Sequence, residues 1–288
     1  MERRKFIATS VLASAALMSL NKFTKAFEEE EEVEKLAPLF FVGHGSPMNA
    51  IEDNEFTKGW KKQAETLEKP KAILCISAHW ETVGTQITAM KNPPTLHDFG
   101  GFPEELFKAQ YPAPGSPELA KEIIENIKKT TVAEDHQWGL DHGTWSVLKP
   151  MFPNEDIPVM QLSIDYTKDL QYHYDLAKEL AFLRKKGVMI MGSGNIVHNL
   201  SKAVWSDKAY DWTIEFDNKI KEAIDSGDHK KIIDYKSIGE SAKLSVPTNE
   251  HFLPLLYILG LKGENENISY FNEKNTMGSI SMRSVKFG

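Results

Sequence analysis

Three of the nine histidines in this 288-residue chain stand just past short apolar runs: His44 after "PLFFVG", His79 after "AILCISA" and His198 after "VMIMGSGN". In parallel α/β sheets, ligands bind outside the carboxyl ends of the strands, so three such histidines would converge on one sheet edge. Glycines 43 and 45 flank His44 and would let the backbone turn sharply while something approaches it closely. A fourth, His251 in "VPTNEHFLPLLYILG", follows a candidate N-cap, Thr248, which would place it in the first turn of an apolar helix. The helix dipole disfavours an imidazolium there, and a neutral imidazole is a ligand for Zn, Fe, Cu or Ni. His142, in "GLDHGTW", lies in a turn before another helical stretch. A single histidine after a strand is ordinarily a hydrogen-bonding turn residue; several together point to a metal centre.

The remaining histidines carry less. His97 in "TLHDFGG" suits either substrate contact or loop structure, and the contexts of His136, His173 and His229 predict surface positions. No H-E-x-x-H pair, phosphate-binding loop or G-x-S-x-G elbow is present.

The elements that must position these residues alternate. Continuous apolar runs at 38–43, 72–77, 157–164 and 188–194 predict strands buried on both faces, as in a parallel sheet covered by helices. Between them, 56–69, 116–129 and 169–186 read as helices, the last with apolar residues at helical spacing. This alternation predicts an α/β fold: one domain over residues 36–288, with a largely parallel central sheet flanked by helices and the site at the strand C-terminal edge. The Pro-rich stretch 91–117 is a long loop of the kind that covers a site, and 279–288 alternates like an edge strand.

A net charge of −7 and a pI near 5.8 argue against a general nucleic-acid binder. The lone cysteine, Cys75, sits in an apolar run, so it reads as a buried structural thiol and no intrachain disulfide is possible. Residues 1–35 begin with Arg3 and Arg4, a modest apolar stretch to about Leu20 and an acidic linker. That stretch is too short for a stable membrane span and resembles a twin-arginine export signal. It predicts a periplasmic protein, the alternative being an amphipathic helix on a cytoplasmic one.

Seven motifs, "GHGSPMNAIEDN", "ISAHWET", "LHDFGGFPEELF", "YPAPGSPELA", "GLDHGTWSVLKPMFP", "GSGNIVHNL" and "PTNEHFLPLLYILG", run from about residue 38 to the C-terminus. Together and in this order they resemble the DOPA 4,5-dioxygenase-type branch of the class III extradiol ring-cleavage dioxygenases. The resemblance implies one mononuclear metal site at which catechol rings are opened with O₂. It implies His44, His79 and His251 as metal ligands, His198 as either a base or a fourth ligand, and His142 as a histidine facing substrate or standing behind the ligands. Extradiol enzymes usually hold Fe(II) with two histidines and a carboxylate. Here the third position reads as His251, with Glu250 beside it, and three imidazoles also suit zinc. The expected cofactor is therefore one divalent ion, zinc or Fe(II), and the expected partners are an aromatic diol and O₂.

On this reading His198 takes a catechol proton, His142 bonds substrate or dioxygen, and Asp141 orients a neighbour. His97 and Phe99, with Phe102 or Tyr111, line the substrate space; Arg283, Asp98 and Glu104 are candidates to meet a charged side chain on the ring. Two rival readings use the same ligands: a zinc hydrolase with Glu250 as base, and a non-catalytic metal-binding member of the fold.

Overall fold

The computed structural model describes residues 36–206 and 208–288; the signal-like segment and acidic linker expected over 1–35 lie outside the described residues. The predicted apolar runs form strands β1 (Leu39–Gly43), β2 (Ala72–Ser77), β3 (Val159–Gln161) and β4 (Val188–Gly194), every residue of them buried. With β5 (Ile268–Phe271) and β6 (Ser284–Phe287) they make one six-stranded sheet in the order β3-β2-β4-β1-β6-β5. The first four are mutually parallel, and β6 and β5 add on antiparallel. The expected largely parallel sheet is therefore present.

Period-two alternation divides the strand side chains between two cores. Leu39, Phe41, Leu74, Ile76 and Ile190 face a core completed by helices α2 (Pro117–Asn126), α4 (Leu170–Lys178), α5 (Asp211–Asp225) and α6 (Leu253–Leu261). Phe40, Val42, Ile73, Cys75, Met189 and Met191 face the other, filled by Trp60 of α1 (Glu55–Glu65) and Trp145 and Leu148 of α3 (His142–Met151). Cover on both faces is why the strands read as unbroken apolar runs. Cys75 is buried as expected; burial pushes its thiol pKa up, and it accepts the Thr144 hydroxyl at 3.2 Å.

Side chains fix where the helices begin. Asn54 caps α1 in a reciprocal capping box with Thr57, and Ser116, Asp141 and Asp169 cap α2, α3 and α4. The single helix expected over 169–186 breaks after Lys178, where Glu179 accepts the backbone N–H groups of Lys128 (2.6 Å) and Lys129 (2.9 Å), and a short turn of helix resumes at Phe182–Lys185.

The C-terminal stretch corrects an expectation. β6 is not an edge strand: it pairs with β1 on one side and β5 on the other, and the edge belongs to β5, which is half exposed. His173 and His229 also differ from the surface positions expected of them. His173 is buried, with Nδ1 2.9 Å from the Tyr257 hydroxyl, and His229 is half-buried against the Tyr174 hydroxyl at 2.9 Å. Both tyrosines supply polar partners that a helical pattern does not reveal. His136 is exposed, as expected. Among the described residues, no helix is long and apolar enough to cross a membrane.

Candidate metal centre

Strands β1, β2 and β4 end together. The N–H of His44 donates to the Gly194 carbonyl at 3.2 Å and that of Ala78 to the Ser193 carbonyl at 3.0 Å, so the ladder carries both chains to the lip of the sheet before they turn away. Gly45 makes the first turn with φ at +60°, a left-handed conformation that glycine tolerates at little cost. What approaches here is the chain itself: a Cβ on Gly45 would lie 2.5 Å from Met282 Sδ.

The rings then converge. His44 Nε2 and His79 Nε2 are 3.1 Å apart, and one nitrogen each of His44, His79 and His251 lies within 4.8 Å of the others. The outer nitrogens identify the tautomers. The single Ser193 hydroxyl proton goes to the Gly143 carbonyl, so Ser193 accepts from His44 Nδ1–H at 3.0 Å, and the His44 Nε2 lone pair faces His79. His251 Nδ1 donates to Glu250 Oε1 at 3.0 Å, which leaves Nε2 as the nitrogen free to coordinate; that atom is buried without a hydrogen-bond partner. A buried unpaired acceptor is costly without a cation to receive its lone pair. A tetrahedral zinc ion with nitrogens at about 2.0–2.1 Å holds them about 3.3 Å apart, so the arrangement fits one divalent ion.

His251 does not occupy the first turn of α6. It sits in a turn just before the helix, and Thr248 is not a side-chain cap: its hydroxyl donates to Glu250 at 3.0 Å. The neutral ring expected of His251 holds for a different reason. Burial, then repulsion from neighbouring imidazoles, keeps His44 and His251 well below the usual histidine pKa; burial and then His142 lower His79 to about 4, and burial lowers His198 to about 4.

His142 opens α3 beside this group, its ring 3.9 Å from that of His79. The buried carboxylate of Asp141 caps the helix and accepts from the Ser77 hydroxyl (2.7 Å) and the Gln161 amide (2.6 Å), tying β2, β3 and α3 into one corner. Gly143 allows the tight fit, since a Cβ there would meet Ser77 Oγ at 2.6 Å and His79 Cδ2 at 2.9 Å. His198 ends the β4 turn with its ring stacked on His251, centroids 3.5 Å apart and planes at 10°. Its nitrogen groups with Glu250 and His251 rather than joining the three-histidine set.

The loop residues divide. Phe99 packs edge-on to His142, centroids 5.6 Å apart, and Phe102 packs on Phe99. His97 is bound up in the loop itself, with Nε2–H donating to the Ala109 carbonyl at 2.9 Å and its ring against Trp145. Tyr111 is fully buried, its hydroxyl donating to the Phe152 carbonyl, so it does not cover the site. Arg283 is likewise unavailable to substrate: it is buried in ion pairs with Asp217 and Glu273, and Glu104 is an exposed partner of Lys108.

Asp98 has a different place from the one expected. Its carboxylate accepts the His142 backbone N–H (2.8 Å) and His142 Nδ1–H (2.9 Å) and lies 3.5 Å from His79 Nδ1. Burial raises its pKa, but the hydrogen bonds and charge of His142 outweigh this and leave it lowered. Sequence reasoning missed this clamp and the Ser193 acceptor. An acid adjacent to a histidine recurs at His97–Asp98, Asp141–His142 and Glu250–His251, but also at Asp135–His136 and Asp228–His229 away from the site, so it does not single out the clamp.

Similarity to known proteins identifies the family. Residues 38–284 match the family described as the catalytic LigB subunit of aromatic ring-opening dioxygenase. The chain is 46% identical over 257 residues to a protein of Escherichia coli (strain K12) named 4,5-DOPA dioxygenase extradiol, covering 87% of this chain and 94% of that one. It is 37% identical over 262 residues to the Beta vulgaris protein of the same name, covering 88% and 97%. A crystal structure of an uncharacterized protein from Escherichia coli K12 superposes with a TM-score of 0.77 at 42% identity, covering 88% of this chain and all of the other. The chain belongs to the LigB family of aromatic ring-opening dioxygenases, enzymes of the class III extradiol type.

Proposed function

We propose that this dioxygenase opens a catechol carrying a DOPA-like side chain, at one Fe(II) ion held by His44, His79 and His251. The observation that carries the reading is the convergence of three neutral imidazoles, with the outer N–H groups of His44 and His251 engaged elsewhere and His251 Nε2 buried and unpaired. When bound, the ion would supply Lewis acidity, as zinc also would, and a path for electrons between the diol and O₂, which zinc lacks.

The chain's own groups do the rest. His198 has its pKa lowered to about 4, so it is neutral near pH 7 and able to accept a hydroxyl proton from the diol. His142, with Nδ1–H held by Asp98, keeps an acceptor at Nε2 for a substrate hydroxyl. Phe99 and Phe102 form an apolar wall beside His142 that suits an aromatic ring. The hydrolase alternative is less favoured, because Glu250, its proposed base, is turned to the outer nitrogen of His251 through Oε1.

The test is anaerobic loading with Fe(II), then oxygen uptake with L-DOPA, dopamine and unsubstituted catechol. Uptake with a yellow ring-opened product, abolished in His79→Ala, is expected. No uptake with any catechol after verified iron loading would contradict the proposal.

A further inference from the structure

The three coordinating imidazoles are backed unequally. His44 rests on a neutral hydroxyl, Ser193. His79 lies 3.5 Å from Asp98, but that carboxylate already takes the backbone and ring N–H groups of His142 at 2.8 and 2.9 Å. His251 alone has a carboxylate on its outer nitrogen at full hydrogen-bond distance, Glu250 at 3.0 Å. The Glu250 side chain is only 20% exposed, and its one other partner is the Thr248 hydroxyl at 3.0 Å. Among the described residues no lysine or arginine pairs with it. A partly buried carboxylate without a protein cation is expensive unless another positive charge stands nearby.

We propose that Glu250 is the charge partner of the metal, acting through His251. Where a two-histidine, one-carboxylate site places its negative charge on the ion directly, this chain places it one imidazole away. The inference rests on the metal assignment made above. Glu250 is not itself a ligand in this arrangement, because its Oε1 meets the Nδ1 side of His251 while Nε2 is the nitrogen left for the ion. A carboxylate on the outer nitrogen of a ligating histidine fixes the tautomer and raises the ring's basicity, and loss of such a partner typically weakens metal binding about 10–100-fold. The negative charge also favours the higher oxidation state of an iron ion at this position. Glu250 is thus a positioning and charge-donating residue. A role as a base toward His198, with which it also groups, would change turnover and leave metal affinity alone.

Glu250→Gln separates the two contributions, since the amide oxygen can still accept from His251 Nδ1–H but the charge is gone. Zinc affinity would be measured on the metal-free full chain by competition with a chromophoric chelator, and the Fe(III)/Fe(II) midpoint potential on the iron-loaded chain. The expected result is zinc binding weaker by about 10–100-fold and a potential shifted positive, with the thermal midpoint of the metal-free chain unchanged. Wild-type affinity and potential in Glu250→Gln would overturn the proposal. Neither readout uses substrate, so absence of catechol turnover would count against the proposed function alone. A wild-type chain that binds no zinc would overturn the metal assignment and this inference with it.

Discussion

Two of the buried polar clusters among the described residues differ in how their charges are matched. Arg283 donates to Asp217 Oδ2 through Nε (2.9 Å) and Nη2 (2.7 Å) and also pairs with Glu273, which takes Lys221 at 2.7 Å. The Ser281 hydroxyl fills the other oxygen of Asp217 at 2.6 Å. Cations and anions are both drawn from the chain, and the cluster fastens the lead-in to β6 onto α5. The histidine cluster has no lysine or arginine among its described partners: His251 Nε2 is unpaired, and Glu250 is bonded only to the His251 ring and the Thr248 hydroxyl. A buried cluster that closes on itself is a fastening; one that lacks a cation is built to receive one.

The contrast can be broken from either side. The largest effect is expected in the open cluster: His198→Ala should retain the metal while turnover falls about 10²–10⁴-fold, checked by metal analysis beside oxygen uptake. Loss of the metal in that variant would make His198 a ligand and remove the distinction drawn between it and His251. In the closed cluster, Arg283→Met strands Asp217, whose side chain is only 3% exposed, and should cost about 3–5 kcal/mol in denaturant unfolding. Its oxygen uptake per folded molecule should match wild type.

A smaller effect separates the clusters by pH. His79 and His198 titrate near 4 in the folded chain, against about 6.5 when unfolded. Their neutral forms therefore contribute stability that is full above about pH 6.5 and is lost as pH falls towards 4, on the order of 3 kcal/mol for His198. Metal-free protein should lose stability across that window. His198→Gln should flatten the slope, whereas Arg283→Met should lower the curve most at neutral pH, where the stranded Asp217 is charged, and less as pH falls and that carboxylate is protonated.

Much of this was legible in the sequence, for physical reasons. Strands covered on both faces become unbroken apolar runs, so β1, β2 and β4 and the histidines beyond them could be located, and the sheet edge followed from parallel topology. The antiparallel addition was harder: β5, half exposed and only four residues long, carries little pattern, and without it β6 looked like an edge. The clamps were hidden because they join residues distant in sequence. Asp98 reaches His142 across 44 positions, and Ser193 reaches His44 across 149. Arg283 looked available for substrate because Asp217, 66 positions earlier on α5, gives no sign of its partner.

The central claim is that His44, His79 and His251 together bind one divalent ion. The most direct measurement is metal stoichiometry after equilibration with zinc and gel filtration, for the wild type and for His44→Ala, His79→Ala and His251→Ala. The account predicts one ion per wild-type chain and almost none in each folded variant. A full equivalent of zinc retained by all three variants would contradict it.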